Sequence, residues 1–355
     1  MIKVLVVDDS ALVRKVLTNE LNKPGDIEVV GTAMDPYVAR DKILKLKPDV
    51  LTLDLEMPRM DGLSFLAKLM KHYPMPVVVV SSLTPKNSEN ALTALRLGAI
   101  EVICKPGSSY STQNISKEVI KAVRTASVAK FDSAPVTVSH AEPKPKLNKS
   151  NGSLLVHTTN KLIAIGASTG GTKALETVLR SLPSDSPGIV IVQHMPPVFT
   201  KSFADRLNSI CALNVKEAEE GDQVESGRVL LAPGNYHMQI EKRAAKYYCR
   251  IKQGPPVHHH RPSVDVLFKS VAKTAGVNAT GVILTGMGGD GAAGLLDMRN
   301  QGAHTIGQDE ASSVVYGMPK EAYRIGAVAE VSPLSGIADA IISNVQKKKV
   351  QHLKN

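Results

Sequence analysis

The sequence predicts an α/β protein of two domains, each built on a mainly parallel, doubly wound sheet. Three observations predict it. Short, continuous Val/Ile/Leu runs alternate with amphipathic stretches, the pattern of strands buried on both faces. That alternation stops in a Ser-, Thr-, Pro- and Lys-rich stretch and resumes beyond it. The 355 residues suit about two domains at roughly 100–200 residues each.

In chain order, the first domain is expected over residues 1–124. Its strands are KVLVV (3–7), IEVVGTA (27–33), DVLTLDL (49–55), PVVVVSS (76–82) and IEVICK (100–105). Between them lie helix-like stretches such as ALVRKVLTNELN and GLSFLAKLMKHY, with apolar residues three and four apart. Five such units, (βα)5, make a doubly wound domain. Residues 125–158 read as an interdomain linker, extended around Pro143 and Pro145. The second domain, 159–345, resumes with KLIAIGAS, GIVIVQH, GRVLLAPG and GVILTGM, again a mainly parallel, Rossmann-like α/β pattern. Residues 346–355 read as a basic tail.

Composition excludes several classes. There is no Trp and only five Phe, so the cores rest on Val, Ile, Leu, Ala and Met. No apolar run approaches the roughly 18–20 residues that span a bilayer, so no membrane insertion is expected. The opening MIKVLVVDDS turns acidic after one short apolar stretch, unlike a secretory leader. Three scattered cysteines, Cys104, Cys211 and Cys249, exclude a disulfide framework and a Cys-cluster metal site. These features point to the cytoplasm. The net charge of +10 invites a nucleic-acid reading. Most of that excess sits in Lys144, Lys146 and Lys149 of the linker and Lys347, Lys348, Lys349 and Lys354 of the tail, where charge usually serves solvation. No nucleic acid is expected as a partner.

Ligands of open parallel sheets bind at the carboxyl ends of strands. In the first domain Asp8 and Asp9 end the first strand and Asp54 lies near the end of the third. Ser81 and Ser82 end the fourth, and Lys105 with Pro106 ends the fifth. Any one of these acids alone would be a turn or cap residue. Together they make an oxygen-rich site suited to Mg²⁺, with one carboxylate able to act as a nucleophile toward phosphorus.

The second domain places Ser168 at a glycine-rich turn after one strand, His194 after a second, and Asp290 in the loop GMGGDGAAG after a third. Each residue alone is more often a cap or a structural group. Together they supply nucleophile, base and orienter at one sheet edge. A competing pattern overlaps them. Gly286, Gly288 and Gly291 spell G-x-G-x-x-G, with Asp309 and Glu310 at the spacing of a ribose-binding acid, which keeps a nucleotide-dependent enzyme open as an alternative. The motif lies late in its domain, whereas the dinucleotide fingerprint normally opens one.

Two resemblances bear on these motifs. VDDS (7–10), LDLEMPRMDG (53–62), SS (81–82) and KP (105–106) resemble the response-regulator receiver domain, a flavodoxin-like fold, across the whole first domain. The resemblance implies Asp54 as phosphoacceptor, Asp8 and Asp9 as Mg²⁺ ligands beside it, and Ser81 and Lys105 at the phosphoryl group. Val102 departs from it, standing where many receivers carry an aromatic residue. GASTGGT, VQHMPPVFTKSFADRL (192–207), APGNYHM (232–238), GPPVHHHRPSVDVLF (254–268), LTGMGGDGAAG and VVYGMPKEA (314–322) resemble the catalytic domain of the CheB family of chemotaxis protein-glutamate methylesterases.

That resemblance implies a Ser168–His194–Asp290 triad, with Thr169 and the Met287 backbone as oxyanion donors. It implies hydrolysis of methyl esters, and deamidation of Gln, on the cytoplasmic helices of chemoreceptors. It also implies a chemotaxis-type histidine kinase as phosphodonor, relief of inhibition by phosphorylation of Asp54, and no cofactor for the ester hydrolysis. The run His258-His259-His260 departs from the family pattern and reads as a substrate-facing loop. A phosphorylation-dependent adaptor that binds without turnover stays open as a further class.

Overall fold

Each stretch of alternating apolar and amphipathic sequence folds around its own sheet in the computed structural model, which describes residues 1–82, 85–105, 112–130 and 160–352. The chain divides into two units, residues 1–139 and 140–355. Most of the 125–158 linker, and Pro106 of the acidic pocket, lie outside the described residues.

The first unit runs β1 (Ile2–Val7), α1 (Ala11–Asn22), β2 (Ile27–Ala33), α2 (Pro36–Leu46), β3 (Val50–Leu53), α3 (Gly62–His72), β4 (Val77–Ser81), α4 (Pro85–Leu97), β5 (Glu101–Cys104) and α5 (Thr112–Ser127). Its sheet has the order β2-β1-β3-β4-β5, with every pair parallel. Ser10, Asp35 and Asp61 start the first three helices by accepting backbone N–H bonds in the first turn. Val102 is partly buried against the core that β3, α3 and β4 share.

The second unit continues with β6 (Leu162–Ala167), α6 (Gly171–Ser181), β7 (Gly188–Gln193), α7 (Phe199–Ile210), β8 (Asn214–Glu217), β9 (Gln223–Val224), β10 (Arg228–Leu231), β11 (His237–Arg243) and β12 (Lys246–Lys252). It ends with α8 (Val264–Ala275), β13 (Ala279–Ile283), α9 (Ala292–Asn300), β14 (His304–Gln308), α10 (Met318–Arg324), β15 (Glu330–Ser332) and α11 (Ile337–His352). Seven strands form one parallel sheet, β15-β14-β13-β6-β7-β10-β8. The backbone of α11 stays helical across the 345/346 boundary expected for the tail. No helix among the described residues is long and apolar enough to cross a membrane.

The central strands β6 and β7 are buried at all six positions, which is why they read as unbroken apolar runs. Leu162 and Ala164 of β6 pack with Val264, Leu267 and Phe268 of α8 in one core. Gly166 permits that approach: a Cβ there would lie 2.2 Å from Val264 Cγ1. The N-terminus of α8 is thereby held close to the end of β6. A smaller antiparallel sheet, β11-β12-β9, joins the same core through Met238, Ile240, Tyr247 and Cys249. The strand readings above did not include this hairpin, whose exposed face is charged.

The first unit has its own tight contact beside the acidic pocket. Gly62 opens α3 against the backbone of Asp54 and Leu55, and a Cβ there would lie 2.3 Å from the Asp54 carbonyl oxygen. Gly62→Ala is therefore expected to lower the unfolding free energy of this unit by about 1–3 kcal/mol, because backbone on both sides must move. Urea denaturation followed by circular dichroism measures it. A loss indistinguishable from that of an exposed Gly→Ala change would count against this contact.

Candidate catalytic triad and acidic pocket

Both candidate sites sit where the fold leaves strand ends side by side. In the first unit the backbone ladder continues one residue past the strands: Asp8 N–H donates to Ala33 O at 3.1 Å, and Asp54 N–H donates to Val7 O at 2.9 Å. Both side chains then emerge at the same edge, and each residue is only 1% exposed. Lys105, whose N–H bonds the Ser81 carbonyl, extends Nζ to Asp54 Oδ2 at 2.6 Å and to Asp8 Oδ2 at 2.9 Å.

Burial pushes the Asp54 carboxyl above its ordinary value, and the Asp8 charge adds to this against the pull of Lys105. Burial pulls the Lys105 ammonium down, but Asp54 and Asp8 outweigh it and hold the group above its ordinary value. Carboxylate oxygens of Asp8, Asp9 and Asp54 lie within 4.8 Å of one another. Asp8 Oδ2 is buried, and the Lys105 ammonium is its one partner among the described residues. Three carboxylates against one ammonium leave net negative charge at the site, which fits a hard dication. The Ser81 hydroxyl is fully buried with no partner among the described residues, while Ser82 donates to Glu56 Oε2.

In the second unit Ser168 follows β6, His194 follows β7, and Asp290 lies between β13 and α9. These three strands are adjacent in the order β13-β6-β7. The structure brings the three side chains together: Ser168 Oγ is 3.1 Å from His194 Nδ1, and His194 Nε2 is 2.8 Å from Asp290 Oδ2. A carboxylate only accepts, so Asp290 places the imidazole proton on Nε2 and leaves Nδ1 to accept from the Ser168 hydroxyl. The Ser168 carbonyl takes bonds from Gly171 N–H at 2.7 Å and Gln193 Nε2 at 2.9 Å, fixing the turn.

Three features of this site were not anticipated. Asp290 sits on the N-terminus of α8, accepting from Ser263 Oγ at 2.8 Å, Val264 N–H at 2.8 Å and Asp265 N–H at 3.0 Å. A helix N-terminus favours an anion there. The Ser before VDVLF was the available sign of that helix start. Second, the His260 ring stacks on His194, with centroids 3.7 Å apart and planes within 8°. Third, His258 turns elsewhere, to Asp265 Oδ2 at 3.0 Å, so neighbours in the His run serve different contacts.

The remaining residues fall as follows. Thr169 is buried next to Ser168, and its carbonyl accepts from Thr285 Oγ1. Thr285 O in turn accepts from Ser168 N–H at 3.0 Å, which brings Met287, two residues on, near Ser168. The Gly286-Gly288-Gly291 loop carries Asp290 back to His194. Asp309 accepts from Ser312 N–H and Oγ, closing a turn in place of a ribose contact.

Burial pushes the Asp290 carboxyl up, but the bonds from His194, Asp265 and Ser263 outweigh it and hold it at about 2. Burial pushes the thiols of Cys104 and Cys249 up to about 12, which leaves them unreactive.

Comparison with known proteins covers both units. The CheB methylesterase family model matches residues 163–341, and the response regulator receiver domain matches residues 4–117. The chain is 59% identical over 344 residues to the protein-glutamate methylesterase/protein-glutamine glutaminase 2 of Syntrophus aciditrophicus, covering 97% of this chain and 99% of that one. It is 54% identical over 346 residues to the Salmonella typhimurium protein-glutamate methylesterase/protein-glutamine glutaminase, covering 97% of each. The solved catalytic domain of Thermotoga maritima CheB methylesterase is similar to it at 38% identity and a TM-score of 0.51, over 52% of this chain and 98% of that domain.

The depressed Asp290 carboxyl makes stability depend on pH. Its folded value of about 2 lies below the ordinary 3.8, so the unfolded chain takes up the proton first. The contribution, about 2 kcal/mol, is complete above roughly pH 5 and is lost as pH falls toward 2. Urea unfolding across the acid range should show this loss in the native chain and a flatter dependence in Asp290→Asn. Equal slopes would refute it.

Proposed function

The chain belongs to the CheB methylesterase family, with a response regulator receiver domain ahead of the catalytic one, and on that premise we propose how its residues carry out the reaction. It is a protein-glutamate methylesterase with protein-glutamine glutaminase activity, serving chemotaxis. The substrates in this reading are methylated glutamates and unmodified glutamines on the cytoplasmic helices of chemoreceptors. The observation that carries the reading is the unbroken Ser168–His194–Asp290 hydrogen-bond relay.

Ser168 Oγ attacks the ester carbonyl as His194 Nδ1 takes its proton, giving a tetrahedral oxyanion. Thr169 and the Met287 N–H are the donors we assign to that oxygen. The carbonyl re-forms, the C–O bond to methanol breaks, and Nδ1–H protonates the leaving oxygen. Water then adds to the acyl-enzyme with Nδ1 again as base, releasing the glutamate carboxylate and Ser168. Glutamine follows the same path with ammonia leaving. Asp290 stays ionised throughout and stabilises the imidazolium.

In the receiver, a carboxylate oxygen of Asp54 attacks the phosphorus of a histidine-kinase phosphohistidine, and the P–N bond breaks. Asp8, Asp9 and Asp54 are the residues that would hold Mg²⁺, whose charge offsets the phosphoryl oxygens. Lys105 pairs with one of those oxygens, and the buried Ser81 hydroxyl gains its missing partner. Phosphorylation relieves an inhibition that the receiver imposes on the catalytic domain. The protein acts in the cytoplasm, without membrane insertion or nucleic acid.

Ser168→Ala and His194→Ala should each abolish methanol release from methylated receptor membranes, and the double variant should be no worse than either single one. Substantial activity in Ser168→Ala would remove the nucleophile. Asp290→Asn should lower kcat by orders of magnitude with KM nearly unchanged. Regulation is tested separately: residues 154–355 alone should be more active than the unphosphorylated full chain. Asp54→Asn should leave the full chain unresponsive to a phosphodonor. Equal activity of the shortened and unphosphorylated full-length forms would refute the inhibition.

A further inference from the structure

Beyond the triad, the catalytic domain carries a concave basic site that the reaction does not use. A cavity of about 690 Å³ opens between β11, the edge strand of the small sheet, and the outer face of α8. Lys269 and Lys273, four residues apart and so on one helix face, line one wall. Lys242 of β11 and Lys252 of β12 line the other. Arg250 is also there, but its guanidinium is paired with Glu220 at 2.6 Å and Glu241 at 2.9 Å. The four lysines are exposed, and their ammoniums have no acidic partner among the described residues.

The walls are fixed to one another. Ser270 Oγ accepts from Ile240 N–H at 2.9 Å and donates to Leu267 O at 2.7 Å, pinning α8 to the edge strand. Like charges held around one concavity repel, and a polyanion relieves that repulsion. The cations are flexible lysine stems, with no glycine among the lining residues. This suits several separate carboxylates better than one tightly cradled phosphate.

Position adds a further constraint. The first turn of α8 holds Asp290, and Lys269 and Lys273 lie about 7 and 14 Å farther along its axis at about 1.5 Å per residue. We propose that this cavity is an exosite for glutamate carboxylates, engaging an acidic helical segment of the substrate protein about one to three turns from the residue being hydrolysed. The identity of that partner rests on the function proposed above. Each turnover converts a neutral ester or amide into a carboxylate, so the exosite grips a substrate more firmly as neighbouring sites are processed.

The full chain carrying Lys269→Glu and Lys273→Glu tests it. KM for methylated receptor membranes should rise about tenfold at low salt, with kcat and the hydrolysis of a small γ-glutamyl methyl ester unchanged, and the difference should shrink as salt is added. An unchanged KM with intact small-ester activity would overturn the proposal. A second arm measures binding of a helical peptide with glutamates three and four residues apart, of its glutamine counterpart, and of tripolyphosphate. The glutamate peptide should bind the native chain and not Lys269→Gln/Lys273→Gln, and the glutamine peptide should bind neither. Binding of tripolyphosphate alone, or of none of the three, would overturn the exosite. Failure of the native chain to release methanol from receptors, with glutamate-peptide binding intact, would sink the proposed function and leave the exosite standing.

Discussion

Asp290 accepts hydrogen bonds from an imidazole, a serine hydroxyl and two backbone N–H groups at the start of α8. A carboxylate this deeply buried is tolerable only because every part of its charge is answered. The arrangement therefore works in both directions. The helix start stabilises the anion, and the anion fixes where the helix begins and which way the imidazole is turned. Gly166, by letting Val264 sit against β6, brings the helix start to the strand edge where Ser168 emerges. Loss of any of these contacts would reach Ser168 through the geometry of the others.

The receiver solves a related problem with the opposite outcome. Its buried acids are under-compensated: one ammonium, Lys105, is shared between Asp8 and Asp54, and the Ser81 hydroxyl lacks a partner among the described residues. The acidic pocket thus has charge and a hydroxyl left unanswered, whereas both oxygens of Asp290 accept two hydrogen bonds each.

Much of this was legible in the chain. The strands of the first sheet and β6, β7, β10 and β13 of the second announced themselves as apolar runs, whereas β8, β14 and β15 are too short or too polar to do so. Ser168, His194, Asp8, Asp54 and Lys105 stood at or just past strand ends and Asp290 in the loop after one, where parallel sheets place their chemistry. What was not legible depends on contacts that no local pattern encodes. Ser263 and Asp290 are 27 residues apart, and the stacking of His260 on His194 joins two loops separated by several elements. The β11–β12 hairpin was missed because its outer face is charged and its inner face contributes only alternate residues to the core. The G-x-G-x-x-G pattern stood as an alternative for a physical reason: a sharp glycine turn between strand and helix serves equally to admit a pyrophosphate or to return an aspartate to a histidine.

The spacing of the relay along the chain has a kinetic consequence. Ser168 and His194 are 26 residues apart, and His194 and Asp290 are 96 apart, spanning the hairpin, the small sheet and α8. Long-range pairings of this kind close late during folding, because loop entropy opposes them until the intervening elements have docked. A chain with β6 and β7 already paired but β13 not yet added holds a serine and a histidine without their orienting carboxylate. The Ser168–His194–Asp290 relay is therefore complete only in a chain that has placed β13 beside β6, so its geometry reports on the pairing of all three central strands at once.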